Sequence, residues 1–375
     1  MNRRDVAFAG ALLLWLAVAP RIVSASEPAD TAYDRIWDHA VLFRGDEDAR
    51  VRRVALSGRL QHDIYWVDAD QGSSDDQLWR RFRFGFKANL ARDWVVHLEG
   101  DFDLNASSGN WYSRLTDAYV GWQPRPDIEV KVLKQSAGFT LDGATSSKSL
   151  LTMQRNNLTN NLWFPVEYFT GISVTGEMDK GWSYSAGLFA TDGDDELASL
   201  EASYFALGSL GYTWASPRGV ESAGLKLDVV HNDAHPDSAT RDFTNIVSLS
   251  SKLALGRWGL WTDLAAGEGH FDQSDVWGIS VMPFYDVNEL LQFVFRYTHL
   301  ESRGRNGVRL ERYESRVVDG RGDDYDDLYA GVNLFFYGHR LKWQTGLQYA
   351  WMRDSADDGG EYQGWGVSTG LRLFW

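Results

Sequence analysis

From Val54 onward, apolar and polar residues alternate with a period of two. Between Leu78 and Leu90 one set is Leu78, Phe82, Phe84, Phe86, Ala88 and Leu90, with Arg80 as its only charge. The interleaved set is Trp79, Arg81, Arg83, Gly85, Lys87 and Asn89. Further on, Leu291, Phe293, Phe295 and Tyr297 alternate with Gln292, Arg296 and Thr298, and Leu341, Trp343 and Leu347 with Lys342, Gln344 and Gln348. A helix would space its apolar residues by three and four instead. Sixteen segments carry the pattern, at roughly 54–66, 78–90, 94–104, 111–122, 127–135, 167–178, 182–191, 202–214, 223–231, 245–255, 258–269, 275–285, 290–300, 327–337, 341–352 and 362–375. Many exceed the roughly five or six residues usual in a soluble strand and fit the nine to eleven or so that cross a bilayer at a tilt.

The connections alternate as well. Short turns at 91–93, 123–126, 179–181, 256–257, 286–289 and 338–340, with a longer one at 215–222, fall between generally longer loops at 67–77, 105–110, 136–166, 192–201, 232–244, 270–274, 301–326 and 353–361. Both termini then lie on the turn side, the arrangement of outer-membrane barrels with periplasmic turns and long outer loops. Tryptophans near the segment ends, among them Trp66, Trp79, Trp94, Trp122, Trp182, Trp214, Trp258 and Trp343, suit two interfacial girdles. The expected fold is all-β: a transmembrane sixteen-stranded antiparallel β-barrel over 54–375. Residues 136–166 are too long for a hairpin turn, contain Gly138, Gly143 and an Asn-rich stretch at 156–161, and end near Pro165. They are expected to fold inward as the third loop and narrow the pore.

The first residues read differently. Arg3 and Arg4 precede an apolar run from Val6 to Ala19, and Val23-Ser24-Ala25 offers a cleavage site, so residues 1–25 are expected to be a signal peptide. Residues 26–53 space Tyr33, Ile36, Trp37, Val41 and Leu42 in a near-helical way, which predicts a short periplasmic helix or coil.

Composition narrows the function. The 375 residues include no cysteine, which excludes disulfides and thiolate metal sites, and the net charge of −15 argues against a nucleic-acid partner. Four stretches, 68–76, 192–201, 319–327 and 353–361, hold enough acid to account for the whole of that charge, so the acidity sits in the expected outer loops. Such a rim reads first as a solvated face, with divalent cations bridging lipopolysaccharide as the other reading. Eight histidines are scattered, no G-x-S-x-G occurs, and His231 and His235, four apart beside Asp233 and Asp237, fall on a strand end rather than a helix. No enzyme, cofactor or metal is expected.

Four stretches carry a family resemblance: Val54-Ala55-Leu56-Ser57-Gly58-Arg59; Arg80-Arg81-Phe82-Arg83-Phe84-Gly85-Phe86; Lys134-Gln135-Ser136-Ala137-Gly138-Phe139, continuing to Leu151-Thr152-Met153-Gln154-Arg155; and Trp182-Ser183-Tyr184-Ser185-Ala186-Gly187-Leu188-Phe189. With the terminal Phe374-Trp375, they resemble the phosphate-selective porin O and P family of Gram-negative outer membranes. The resemblance implies a homotrimeric sixteen-stranded channel in outer-membrane lipid and lipopolysaccharide. Its third loop would fold inward, and its basic lumen residues would favour small anions, especially phosphate.

Anion passage needs fixed positive charge or donors along a narrow lumen, and arginine offers phosphate a planar fork. The alternation puts Arg59, Arg81, Arg83, Lys87, Lys131, Arg296, Lys342 and Arg372 on the lumen face, with Arg59, Arg81, Arg83 and Lys87 as a ladder on adjacent strands and Arg155 on the third loop. Asp63, Glu99, Asp101, Asp103, Glu129, Asp228 and Asp263 share that face and oppose the ladder. The expected function is passive diffusion of small solutes through an anion-preferring, phosphate-type porin. A general-diffusion or cation-biased porin, or a structural barrel without transport, stays open at this point.

Overall fold

The computed structural model describes residues 31–107, 109–192, 196–200, 203–214 and 222–375. The expected signal peptide 1–25, and residues 26–30 of the segment after it, lie outside the described residues. Residues up to His39 form one unit and Ala40–Trp375 another. In the first, helix α1 (Ala32–Asp38) starts at a capping box: the Asp34 amide donates to Thr31 Oγ1, and the Thr31 amide donates back to the Asp34 carboxylate at 2.9 Å.

The second unit opens with a short strand, Val41–Arg44, paired with residues 53–55. Sixteen barrel strands follow: β1 (Val51–Ala69), β2 (Gly72–Leu90), β3 (Trp94–Phe102), β4 (Tyr112–Arg125), β5 (Ile128–Ser136), β6 (Tyr168–Met178), β7 (Trp182–Ala190) and β8 (Tyr204–Trp214). The ring continues with β9 (Ser222–Asn232), β10 (Phe243–Leu255), β11 (Trp258–Gly269), β12 (Val276–Asp286), β13 (Leu291–Ser302), β14 (Asp324–His339), β15 (Leu341–Arg353) and β16 (Tyr362–Phe374). Each is antiparallel to its neighbours, and β16 pairs with β1 through Gly370 and Asp63, which closes the barrel. Closure satisfies every strand edge, which a wall in hydrocarbon requires.

Burial along the strands is the reverse of a water-soluble protein. Phe84, Phe86, Phe293, Phe295, Leu225, Leu227, Val229 and Leu347 are exposed, while Arg59, Gln61, Asp63, Arg83, Asp263, Thr298, Asn333 and Gln344 are buried. In water each exposed apolar side chain would forgo about 1.5–3 kcal/mol of burial; in lipid it is solvated, and the polar set faces inward. Ring pairs stand at the strand ends beside the short turns: Trp94 with Trp122, Trp182 with Tyr212, and Trp258 with Tyr285.

Two boundaries differ from the alternation. The expected loop 67–77 is strand: β1 and β2 pair out to Ala69 and Gly72, and only Asp70 and Gln71 connect them. Gly72 supplies the φ of +145° there. Ser73, Asp75 and Asp76 have no apolar face to betray a strand, because above the bilayer only the backbone ladder holds it. The expected helix or coil of 26–53 is α1 plus the short strand at 41–44 and the first residues of β1.

The second difference is a bulge. Gln61 pairs with Arg81 but His62 pairs with Trp79, so Arg80 is an extra residue in β2. From that point the faces swap. Trp79 is exposed, Leu78 packs against the interior apolar cluster, and Arg80 lines a cavity beside Arg81. The alternation had put Arg80 on the lipid side and Trp79 in the lumen; the bulge inverts both.

Two connections bond to inward-facing wall residues. In 137–167, the Leu141 amide donates to Asp263 of β11, and Ser147 accepts from Arg59 of β1. The Leu150, Leu151 and Met153 carbonyls accept from Lys342 of β15, Asn333 of β14 and Arg372 of β16. From 303–323, the Arg309 and Leu310 carbonyls accept from Asn157 and Asn160. Phe139, Leu158, Leu162 and Phe164 of the first and Val308, Leu310 and Tyr313 of the second form one apolar core with Phe189, Phe205, Phe243, Tyr325 and Met352 of the wall.

Candidate pore neck

Arg155 is held by the local structure of 137–167. Helix α2 (Leu141–Ala144) is capped by Thr140, and helix α3 (Asn157–Leu162) by Asn156, whose Oδ1 accepts the Thr159 amide at 2.7 Å. The Asp142 carboxylate takes the Asn156 amide and so ties the two helices together. Arg155 lies between them. Its Nε donates to the Asp142 carbonyl at 2.9 Å, its Nη2 donates to the Thr145 carbonyl at 3.3 Å, and its plane covers the Trp163 ring at 4.5 Å. Trp163 is fixed in turn by its Nε1 donating to the Ala137 carbonyl.

The remaining nitrogen of Arg155 meets two more arginines at one carboxylate. Arg155 Nη1 and Arg81 Nη2 each stand 3.3 Å from Glu167 Oε1, and Arg83 Nη2 stands 3.3 Å from Glu167 Oε2. Arg81 also donates to Gln61, and Arg83 to the Tyr168 hydroxyl. Burial alone would raise the Glu167 carboxyl, but Arg155, Arg81, Arg83 and Arg80 hold it well below the usual carboxylate range. Glu167 is therefore a fixed anion at pH 7.

Two cavities meet at this cluster. One of about 110 Å³, toward the long connections, has as its charged lining Arg80, Arg81, Arg155, Arg241 and Arg312 against Glu167 and Glu311. One of about 510 Å³, toward the short turns, is lined by Arg59, Asp117, Arg155, Glu167, Tyr168 and Lys226. Arg155, Trp163 and Glu167 belong to both, so they form the neck between them.

The residues expected to guide anions divide. Arg59, Arg81 and Arg155 line the cavities, and Arg83 backs the neck at 1 % exposure. Part of the ladder is neutralised: Arg59 stands 3.4 Å from Glu99, and Arg83 3.3 Å from Asp101. Lys87 is exposed on the ladder's face, outside both cavities, and Lys131 pairs with Glu129 at 2.9 Å. Arg296, Lys342 and Arg372 are bound elsewhere: Arg296 to Asp327 and Glu311, Lys342 to the Leu150 carbonyl, and Arg372 to Asp63. Asp103, expected in the lumen, instead accepts from Asn105 past the end of β3. Arg80, Glu167, Lys226, Arg241 and Arg312 escaped the sequence reading. For Arg80 a signal existed: an arginine on a lipid face costs roughly 2–4 kcal/mol at mid-membrane, so Arg80-Arg81 in one strand is itself a mark of a bulge.

The sequence profile of a family described as phosphate-selective porin O and P matches residues 54–246, about half of the chain. No curated protein matches. Among solved structures, the fold is similar to an anion-selective porin from Comamonas acidovorans, with a TM-score of 0.59 and 14 % identity over 86 % of this chain and 99 % of that one. It is also similar to OmpF of Salmonella typhi in complex with daunomycin, at a TM-score of 0.61 and 11 % identity over 89 % of this chain and 100 % of that one. The outer-membrane channel DcaP of Acinetobacter baumannii aligns at 0.56 and 12 % identity, over 89 % of this chain and 99 % of that one.

Proposed function

The chain belongs to the phosphate-selective porin O and P family, and from that premise we propose that it is a passive outer-membrane channel for small anions of the phosphate type. The observation that carries the reading is the neck. Arg80, Arg81, Arg83 and Arg155 surround Glu167, with Asp101 the only other carboxylate in ion-pair contact with any of the four among the described residues. Two positive charges are left over at the boundary between the cavities. In a narrow, partly desolvated passage such an excess raises the local anion concentration and repels cations.

The connection 137–167 is the constriction, folded into the lumen. Its support is its hydrogen bonding to inward-facing residues of β1, β11, β14, β15 and β16. The porin of Comamonas acidovorans, whose fold this chain shares, is anion-selective. We take the protein as a homotrimer set in outer-membrane lipid and lipopolysaccharide, with both termini periplasmic.

The test is the reversal potential of single channels in a potassium chloride gradient. The wild type is expected to prefer chloride. Arg81→Gln combined with Arg155→Gln removes two of the three neck charges that line the cavities, leaving Arg80, without placing acid beside Glu167, so the barrel assembles and the potential moves toward that of a cation channel. The shift shrinks at 1 M salt, where the Debye length falls to about 3 Å. A wild-type channel that prefers potassium refutes the anion reading, and one that does not conduct leaves a structural barrel.

A further inference from the structure

We infer that Glu167 is a tethered anion: it occupies the position a permeating oxyanion takes at the neck, and so sets how long that anion stays. This rests on the anion-channel reading and adds a specificity-determining residue to it.

Three guanidinium groups from two parts of the chain, Arg81 and Arg83 on β2 and Arg155 between α2 and α3, aim one nitrogen each at Glu167, all at 3.3 Å. Each is also held by a partner other than Glu167: Arg81 donates to Gln61, Arg83 donates to the Tyr168 hydroxyl and stands 3.3 Å from Asp101, and Arg155 donates to the Asp142 and Thr145 carbonyls. The donors are therefore held in place independently of the carboxylate. Such a convergence is an oxyanion site, and the chain's own anion fills it.

The backbone is also committed. Glu167 has φ of +65°, in the left-handed region that residues with a Cβ seldom adopt, and its carbonyl accepts the Ala137 amide where the connection begins. This conformation points the carboxylate into the wall shared by the two cavities. The group is not sealed inside a core; it borders both cavities.

Conduction needs a site that attracts an ion and then releases it. Without the carboxylate, three preorganised guanidinium forks would hold a phosphate through three charge-assisted bonds and keep it. With it, an arriving anion must share or displace a ligand that cannot diffuse away. The excess charge of the neck still draws anions in, and Glu167 shortens their stay.

The experiment measures chloride current through single channels while inorganic phosphate is added, comparing wild type with Glu167→Gln. Removing the negative charge loosens its hold on the donors and lowers the half-blocking phosphate concentration by about tenfold or more, the worth of one hydrogen bond to a charged group, and lengthens each block. Phosphate also raises the unfolding temperature of Glu167→Gln more than that of the wild type, because ligand stabilises the folded state in proportion to its occupancy. Glu167→Gly, which suits the positive φ, should behave as Glu167→Gln and decides the matter if the glutamine variant does not assemble. Assembly of either variant only in phosphate supports the tethered anion. An unchanged half-blocking concentration in a channel that still prefers chloride overturns it while leaving the anion channel standing, and so does failure of both variants to assemble with phosphate present. A wild type that prefers potassium fails the underlying reading instead.

Discussion

Two clusters of buried charge face the barrel interior, and they have opposite balances. At the neck, Arg80, Arg81, Arg83 and Arg155 outnumber Glu167 and Asp101. Against β13 and β14, a single Arg296 meets Asp327 and Glu311 at 3.3 and 3.4 Å, with Glu314 beside them. The positive cluster opens onto cavities of about 110 and 510 Å³, whereas the space beside Arg296 is about 20 Å³, with Glu311 alone of the acidic cluster reaching the edge of the 110 Å³ cavity. An unbalanced charge next to water keeps its hydration and acts on ions. An unbalanced charge in a packed site has to be silenced, by a proton or by a full set of partners. On the proposed reading the first cluster selects, while the second holds the connection 303–323 against the wall.

The same substitution on each side should separate these roles. Arg296→Met leaves Asp327 and Glu311 with no cation within ion-pair distance among the described residues. Removing one partner from a buried pair costs about 3–5 kcal/mol, so the unfolding temperature in detergent should fall markedly and 303–323 should become open to protease. Arg155→Met leaves Glu167 with Arg81 and Arg83. Its stability should fall by less than that, about 1.5–3 kcal/mol as for hydrogen bonds to a charged group, while its reversal potential moves. Equal losses of stability in the two variants would erase the distinction.

This division also shows what the chain discloses in one dimension. The barrel was legible because lipid imposes a period of two on every wall segment, as in Phe82, Phe84 and Phe86. The β1–β2 hairpin beyond Val67 was not, because polar strand above the bilayer has no apolar face. Arg81 and Arg83 could be placed on the inner face by alternation, yet Arg80 could not, since a bulge is one extra residue with no composition of its own. Arg296 and Lys342 share that face and the same chemistry, but only the folded connections show that they are consumed by Asp327, Glu311 and the Leu150 carbonyl. Glu167 lay between a proline-ended loop and a strand, and nothing nearby in sequence announces its three arginine partners.

The acidic cluster makes a prediction about pH that the neck does not. Burial pushes the Glu311 carboxyl up to about 7, against the pull of Arg296, and burial with the nearby Glu311 raises Glu314 further. A raised carboxyl binds its proton more tightly folded than unfolded, so stability falls as pH climbs from the ordinary carboxylate range near 4.5 to about 7. Unfolding temperatures should therefore be lower at pH 8 than at pH 5, with 303–323 the first segment cleaved by protease. Glu311→Gln should flatten much of that slope. If the variant keeps the wild-type slope, the proton is held elsewhere.

The smallest expected effect is on the selective side, and it tests whether charge a little away from the neck still counts. Lys148 stands in the connection 137–167, its ammonium over the Phe374 ring at 5.1 Å. Burial and the neighbouring Arg59 and Arg83 push its pKa down to about 8, while Glu99 and Asp117 pull the other way. It is mostly charged at pH 7 and mostly neutral at pH 9. Over that interval the lumen loses one positive charge near Arg59, well within the Debye length of about 10 Å at 0.1 M salt, so the chloride preference should decline slightly as pH rises. The guanidinium groups of the neck stay charged throughout and give no such slope. Lys148→Arg keeps its charge and should make the reversal potential level from pH 7 to pH 9. A wild-type potential that is already level would mean that Lys148 is screened from the solute path, and that the neck alone selects.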